Sequence, residues 1–417
     1  MIRKISSWGN LQKKEVTLTE ELGLKKGLIS VGNNNSYGDA AIPMNPIVLE
    51  RKSKVLDTNF YDSSILIDEY MSQTENILYG VPGRENVTLG GAVASDVHGK
   101  DGSWGSSFSR NIKSLHMLLP NGEEVVCSDS CNQDLFFSTI GGFGLTGSIL
   151  GIEFNKSEIP FFTHCFSNTV VGQNINELLK LFTNTKFNYQ VAWVNLLKND
   201  KKWVFTNSSI YSEIKKNDIK NIKYNNEFNF SIPLIGFNYF KTLSFINNIY
   251  CLVNSKNKQN FQTRQETFYP LGKFSNTKNI ASNRKIIQVQ FSVPIENESH
   301  IEKLLDLLIK NQHPLLCSIK FLQNSQQIHG LSFVQKGWAI AVDFPAKNFD
   351  HISIRNFYSR LIEIGGKVYL AKDSTLNQNE FSKMFNNLEE WRDIVKKIDP
   401  KNLFQSELSK RLGIKNW

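Results

Sequence analysis

Apolar positions change rhythm twice along this chain. Up to about Pro160, short apolar runs are broken every few residues by Gly, Asn and Asp, with few helical stripes, which predicts strands joined by loops. From about Phe161 to Gly366, helical stripes appear. Asn174 with Glu177 opens one (Leu178, Leu181, Phe182), and Ser299 with Glu302 reads as a capping box before a second (Ile301, Leu304, Leu305, Leu308). Between them the period drops to two. In 287–293, Ile287, Val289, Phe291 and Val293 share one face, and Gln288, Gln290 and Ser292 the other. In 317–321, Ser318 and Lys320 share a polar face; in 338–344, Ile340, Val342 and Phe344 oppose Ala339, Ala341 and Asp343. Neighbouring strands of this kind predict an antiparallel sheet backed by helices. The polar face either roofs a cleft or stands in water, and alternation alone favours water. After Gly365-Gly366, a helix stop, the pattern predicts a strand over Lys367 to Lys372 and one helix over Asn379 to Ile398, closed by Pro400.

Composition narrows the class. A chain of 417 residues with 40% hydrophobic and 12% aromatic content is long enough for two domains, or one with an insertion, and is not a disordered protein. The formal charge of +9 is spread without a Lys/Arg block, so a solvated basic surface and an anionic partner stand level, and no nucleic-acid partner is expected. The cysteines Cys127, Cys131, Cys165, Cys251 and Cys317 are odd in number and lack a C-x-x-C, which indicates neither a disulfide framework nor a metal site and favours a reducing compartment. The first residues lack the apolar run of a signal peptide, and no stretch approaches the ~20 apolar residues of a spanning helix. A cytoplasmic protein is expected.

Candidate chemistry gathers where the pattern is least regular. Residues 82–100, PGRENVTLGGAVASDVHGK, hold Pro82-Gly83 and Gly90-Gly91-Ala92 and end in a His-Gly pair. Small residues let backbone N–H groups converge on an anion, although a lone Gly-Gly is more often a turn. Two further stretches share this character. VGNNNSYGD (31–39) follows a strand-like run, and its Asn residues tolerate the left-handed region; GGFGLTGSI (141–149) has four Gly in seven positions. Three such loops suit a dinucleotide laid extended across them, whereas a Rossmann site needs one G-x-G-x-x-G between a strand and a helix.

The order SYGD, PGRENVTLGGAVASDVHGK, SSFSRNI, DLFFSTIGGFGLTGSI closely resembles the FAD-binding domain of the vanillyl-alcohol-oxidase superfamily. GGKVYLAKDS (365–374), LEEWRDIVKKIDP (388–400) and LFQSELSKRLGI (403–414) narrow the match to the branch of decaprenylphosphoryl-β-D-ribose 2'-oxidases, the flavoenzymes of a two-enzyme epimerase. The resemblance implies an α+β fold: a two-part PCMH-type FAD-binding domain, residues 1–160 and 367–417, with a substrate domain, 161–366, inserted and built on the antiparallel sheet. Relatives carry helix-sized segments before the first glycine loop and before the Pro-Gly loop. Here both regions are compact, a departure that falls on the adenine end of the FAD site.

By the same resemblance, the FAD pyrophosphate and ribityl chain contact Gly32, Asn33, Asn34, Asn35, Ser36, Tyr37, Gly83, Thr88, Leu89, Gly90, Gly91, Ser95, Asp96, Val97 and His98, with Ile149 and Tyr369 near the ring system. Gly32-Asn33-Asn34-Asn35 departs from the usual Gly-x-Gly-Arg, so the Asn34 backbone must adopt what Gly normally does. Tyr37 stands where many relatives carry the His that bonds the flavin covalently, which implies non-covalent FAD. The catalytic set carried over is Lys372, Tyr37, His98, Gln290 and Lys320. Taken alone, His98 reads as a structural histidine, Lys100 as a surface lysine and Lys372 as a partner of Asp373. In the family's motif Lys372 becomes the proton acceptor or the electrostatic anchor of a developing alkoxide.

The implied substrate is a pentose 1-phosphate esterified to a polyprenyl chain and oxidised at the 2'-hydroxyl, with an NAD(P)H-dependent short-chain reductase as partner in cell-envelope polysaccharide synthesis. That lipid implies work at the inner face of the cytoplasmic membrane. Residues 228–252, apolar and aromatic, suit either an ordinary core segment or an interfacial loop. The competing readings are a soluble aldonolactone or alditol oxidase and a flavin-binding scaffold without catalysis. In the family, a Cys on the GW-x-x-x-VDFP strand is the target of covalent nitroaromatic inhibitors, and Ala341 occupies its place here.

Overall fold

The structure, a computed structural model, describes residues 2–19, 26–49, 59–105, 107–184, 187–197, 201–211, 258–270, 285–323 and 330–417. The 228–252 segment and Cys251 lie outside the described residues. Among the described residues, three sheets organise the chain. The first opens with an antiparallel hairpin, β1 (Ile2–Ser6) and β2 (Lys13–Thr19), and β2 runs parallel to β4 (Ile47–Leu49), which in turn runs parallel to β3 (Ile29–Ser30). The 31–39 loop leaves directly from β3.

The second sheet follows β5 (Tyr61–Asp62) and two helices, α1 (Ile67–Thr74) and α2 (Leu89–Ala94), with β6 (Ile112–Leu118), β7 (Glu124–Ser128), helix α3 (Gln133–Thr139) and β8 (Ser148–Phe154). Its order is β5-β8-β6-β7, antiparallel throughout. The Gly142-to-Gly147 run lies between α3 and β8, helix before strand, which is the reverse of the Rossmann order.

The third sheet has eight strands. In chain order come β9 (His164–Gly172), α4 (Ile175–Asn184), β10 (Tyr189–Val194), β11 (Trp203–Ile210), β12 (Lys258–Thr263), α5 (Arg264–Phe268), β13 (Ile286–Pro294), α6 (Ile301–Ile309), β14 (Leu316–Leu322), β15 (Gly337–Pro345), α7 (Ser353–Glu363) and β16 (Lys367–Val368). They assemble as β12-β9-β11-β10-β14-β15-β13-β16, all antiparallel. Register sets Val289 opposite Val342 and Phe291 opposite Ile340, so the period-two pattern forms one continuous apolar face. Leu178 and Phe182 of α4, Leu304 and Leu308 of α6, and Phe357 and Leu361 of α7 pack into that face as one core. Trp338 is fully buried between Phe182 and Phe321, with ring centroids 5.4 and 5.0 Å away.

The opposite face is not wet. Gln290, Ser292 and Asp343 are all buried, and Gln290 bonds His98 of the N-terminal half. The alternation was legible, but its partner was 192 residues away in sequence.

Three local expectations change and two hold. Asn174 does cap α4, accepting from the amides of Asn176 (2.8 Å) and Glu177 (3.3 Å). The Ser299–Glu302 capping box does not form, because a 3-10 segment over Ile295–His300 already winds the chain into α6 and leaves His300 at the N-cap without a side-chain cap. The strand predicted over 367–372 stops at Val368; beyond it a tight turn forms, with Lys372 N donating to Tyr369 O at 2.9 Å. The single helix over 379–398 is two, α8 (Gln378–Met384) and α9 (Leu388–Ile398), interrupted where Asn386-Asn387 disfavour a helix interior. The Gly365-Gly366 stop is present: Gly365 has φ 69°, and Gly366 N donates to Leu361 O at 2.8 Å.

The C-terminal segment returns to the N-terminal half. Trp391 of α9 donates its indole N–H to Ser138 O (3.1 Å) at the end of α3, and Gln405 N donates to Leu28 O (2.8 Å). The last helix, α10 (Glu407–Arg411), then sits against the start of the chain.

Candidate active site

Two motifs from opposite ends of the chain meet face to face. Tyr37 N donates to Ala371 O at 3.0 Å, and a Cβ on Gly38 would lie 1.7 Å from Asp373 O, so only Gly fits there. Arg411 closes the junction. It is bidentate to Asp39 (2.7 and 2.8 Å) and reaches Asp373 at 2.9 Å, with both carboxylates buried. Asp373 also accepts from the amides of Thr375 and Leu376.

Lys372 is thereby separated from its sequence neighbour Asp373. Its Nζ lies 3.9 Å from the centroid of the Tyr37 ring. Burial drives its pKa well below the ordinary lysine value, Arg84 and Lys320 add to that, and Asp343 opposes it. Tyr37 is raised by burial and by Asp343, so its phenol stays protonated. Behind it the Trp8 ring packs at 4.1 Å, held by Trp8 N donating to Ser36 O and Gly9 N donating to Tyr37 O.

The polar face of the large sheet supplies the rest. Gln290 Nε2 lies 2.7 Å from His98 Nε2; with the amide as donor the ring carries its proton on Nδ1. Burial, with Lys320 and Lys372 nearby, holds His98 well below the usual imidazole range, so it is neutral. Its ring meets Phe333 (4.9 Å) and Tyr369 (5.2 Å) edge-on, and those two stack on each other at 4.6 Å. Lys320 is pushed down to about 8 by burial against the pull of Asp101. Gln288 donates to Asp343 (2.6 Å), whose carboxyl is raised to about 6 by burial. Ala341 lies opposite both Gln290 and Ser318 in the register, on this same face.

The glycine loops behave differently from one another. Asn34 has φ 53°, the left-handed conformation required of it, and a Cβ on Gly32 would sit 2.6 Å from Thr88 Oγ1. Among the described residues, the amides of 32–36 donate to no carbonyl, while Asn33 and Asn35 anchor the loop through their side chains on Asn86 O. The Gly90-Gly91 run does not present free amides. Leu89 N donates to Ile65 O, Gly90 N to Ser63 O, and Gly91 N to Thr88 Oγ1. Its contribution is close approach, since α2 is pinned by those bonds. At Gly83 a Cβ would meet only Phe268 O, at 4.0 Å.

Asp96, also φ-positive at 38°, spends its buried carboxylate on Ser107 Oγ (2.8 Å), Ser109 N (3.2 Å) and Ser332 Oγ (2.6 Å). It ties the Ser95–His98 turn to two other loops, and Val97 O accepts from Phe108 N. Ile149 is buried at the start of β8. Lys100 is not a surface lysine: it is buried and donates to Thr267 O (2.6 Å) and Phe268 O (3.0 Å), securing α5. The resemblance passed over Trp8, Arg84, Gln288 and Asp343. Gln288 and Asp343 were visible on the polar faces; Trp8 and Arg84 carried no local signal.

These groups fit an FAD. Among the buried side-chain atoms without a hydrogen-bond partner in the described residues are His98 Nδ1, Asn34 Oδ1 and Asn35 Oδ1, on motifs that the resemblance assigned to the cofactor, beside amides of 32–36 that donate to no carbonyl there. The fold is α+β, as the resemblance implies. No protein-family model matches the chain. Over 432 aligned residues it is 25% identical to the decaprenylphosphoryl-beta-D-ribose oxidase of Mycolicibacterium smegmatis, covering 96% of this chain and 92% of that enzyme. A stretch of 69 residues, 16% of this chain and 18% of the relative, is 41% identical to an uncharacterized protein in the mprA 5'region of Streptomyces coelicolor.

Proposed function

We propose that this protein oxidises the 2'-hydroxyl of a pentose carried on a polyprenyl phosphate to the ketone, as the first half of an epimerisation. The observation that carries the reading is the buried amine of Lys372, held well below the ordinary lysine value and seated on the Tyr37 ring, beside His98 and the polar sheet face of Gln290 and Lys320. Removing hydride from a carbinol carbon requires the hydroxyl proton to leave. A neutral Lys372 accepts that proton at Nζ, and the oxygen becomes the carbonyl oxygen. FAD, when bound, accepts the hydride. Gln290 and Lys320 hold the sugar hydroxyls, Lys320 as the cation nearest the developing negative charge. His98, kept neutral and aligned by Gln290, offers Nδ1–H as a donor to the cofactor. Tyr37, Gly32 to Ser36, Gly83, Thr88 to Gly91, Ser95 to His98, Ile149 and Tyr369 form the proposed cofactor shell.

A short-chain reductase using NAD(P)H is the proposed partner that returns the ketone to an alcohol of opposite configuration, and a cytoplasmic membrane face the proposed workplace. Among the described residues, no helix is long and apolar enough to cross a membrane. The test is anaerobic: purified protein should show the visible flavin bands, and a polyprenylphosphoryl pentose should bleach them. Bleaching by a free aldonolactone instead would replace this substrate class, flavin bands that no sugar bleaches would leave the flavin-binding scaffold, and a colourless protein would overturn the flavin reading.

A further inference from the structure

Arg84 belongs to none of the contacts that the family motifs assign, yet it stands at one end of a continuous stack. Its guanidinium carbon lies 4.1 Å from the centroid of the Trp8 ring. The Trp8 and Tyr37 centroids are 4.1 Å apart, tilted by 38°. Lys372 Nζ lies 3.9 Å from the Tyr37 centroid. The guanidinium is drawn to the Trp8 face, and the Trp8–Tyr37 ring pair is itself attractive, so Arg84 and Trp8 hold the phenol ring over which the amine lies. Arg84 and Gln288 also hydrogen-bond the Tyr37 hydroxyl, fixing the ring in its own plane.

The groups that face Lys372 come from every side of the site. Arg84 on the 82–88 loop and Lys320 on β14 repel a proton from the amine, and Asp343 on β15 attracts one. His98 is neutral, Tyr37 stays protonated, and the adjacent Asp373 is engaged by Arg411. Arg84 therefore offsets the one carboxylate that would otherwise favour an ammonium.

We infer that Arg84 is a positioning residue: it clamps Trp8 against Tyr37, fixes the ring on which the Lys372 amine rests, and sets its own charge against an ammonium there. The inference rests on the reading of Lys372 as the proton acceptor. It is tested in holoprotein by competitive acetylation with acetic anhydride between pH 6 and 10, each lysine quantified by peptide mass spectrometry, in wild type, Arg84→Gln and Arg84→Lys. The exposed Lys113 and Lys396 serve as folded-state references. In Arg84→Gln the titration midpoint of Lys372 should rise by about one unit, and its labelling at pH 7 should fall about two- to fivefold. Arg84→Lys should stay near wild type. The pH profile of anaerobic flavin reduction should shift with the labelling midpoint. An unmoved Lys372 midpoint in Arg84→Gln, with unchanged references, overturns the inference, as does an equal shift in Arg84→Lys. A shifted midpoint in a protein that reduces no flavin with any sugar would uphold Arg84's effect on the amine and remove the proposed oxidation instead.

Discussion

Arg411→Met would test the junction that brings Lys372 onto Tyr37. The guanidinium makes two bonds to Asp39, one to Asp373 and one to Leu376 O (2.8 Å), and the two carboxylates raise its already high pKa further. Both carboxylates are buried, so the variant leaves two negative charges facing each other without a counter-ion. Removing one partner of a buried ion pair costs about 3–5 kcal/mol. With an unfolding entropy of about 2.1 cal/mol/K per residue, a cooperative chain of this length loses roughly 3–6 °C of Tm. The damage should also be directional. Ala371 O and Asp373 O are the backbone atoms against which the Tyr37-Gly38 turn is seated, so flavin reduction should fall further than FAD affinity. Scanning calorimetry of the apo- and holoprotein, followed by stopped-flow reduction, reads both effects. The double variant Asp39→Asn with Arg411→Met should recover part of the Tm by removing one buried charge. A single variant that melts within about 1 °C of wild type would refute the reasoning.

Lys372→Ala should retain FAD and lose at least about a hundredfold in anaerobic flavin reduction, the lower end for a general base. Lys372→Arg should not restore it, because guanidinium stays protonated, and a near-wild-type rate in Lys372→Ala would remove the residue from the mechanism. Acid precipitation should release the yellow colour to the supernatant, since Tyr37 offers a protonated phenol where covalent relatives carry His; a yellow pellet would contradict this. With Ala341 on the polar face, nitroaromatic inhibitors should leave no mass adduct on residues 338–345, and Ala341→Cys should create one; an adduct on the wild-type strand would show that another group there reacts.

The sequence made the large sheet legible because its faces are one-sided in composition. Val289, Ile340 and Ile319 could only point to the helices, and β13, β14 and β15 adopt the predicted alternation. What alternation could not reveal was the covering of the polar face, because His98 and the other partners come from a distant part of the chain. Helix ends were legible where one side chain decides them, as at Asn174 and Gly365, and failed where the preceding backbone decides, as at Ser299. The same limit hid the stack on Tyr37. Trp8 is placed by two backbone bonds from the first hairpin's turn to the SYGD loop, and no residue pattern around Trp8 announces that pairing. Lys100 failed for a related reason: a lysine is buried only when carbonyls await it, and Thr267 and Phe268 lie far along the chain.

The charges around Lys372 favour one of the two roles proposed for it. An electrostatic anchor needs an ammonium, and the adjacent Asp373 would be the natural group to maintain one. That carboxylate is instead turned toward Arg411 and two backbone amides, while the other nearby acid, Asp343, is itself raised to about 6 and held by Gln288. Arg84 and Lys320 add positive charge on top of burial, and each acts in the direction of a neutral amine. Such an arrangement is unfavourable for folding, since a lysine whose pKa falls on burial holds its proton less tightly folded than unfolded. The stability lost there has to come from elsewhere in the molecule, and the Arg411 junction lies one residue away. This opposition of charges favours the proposed proton acceptor over an alkoxide anchor.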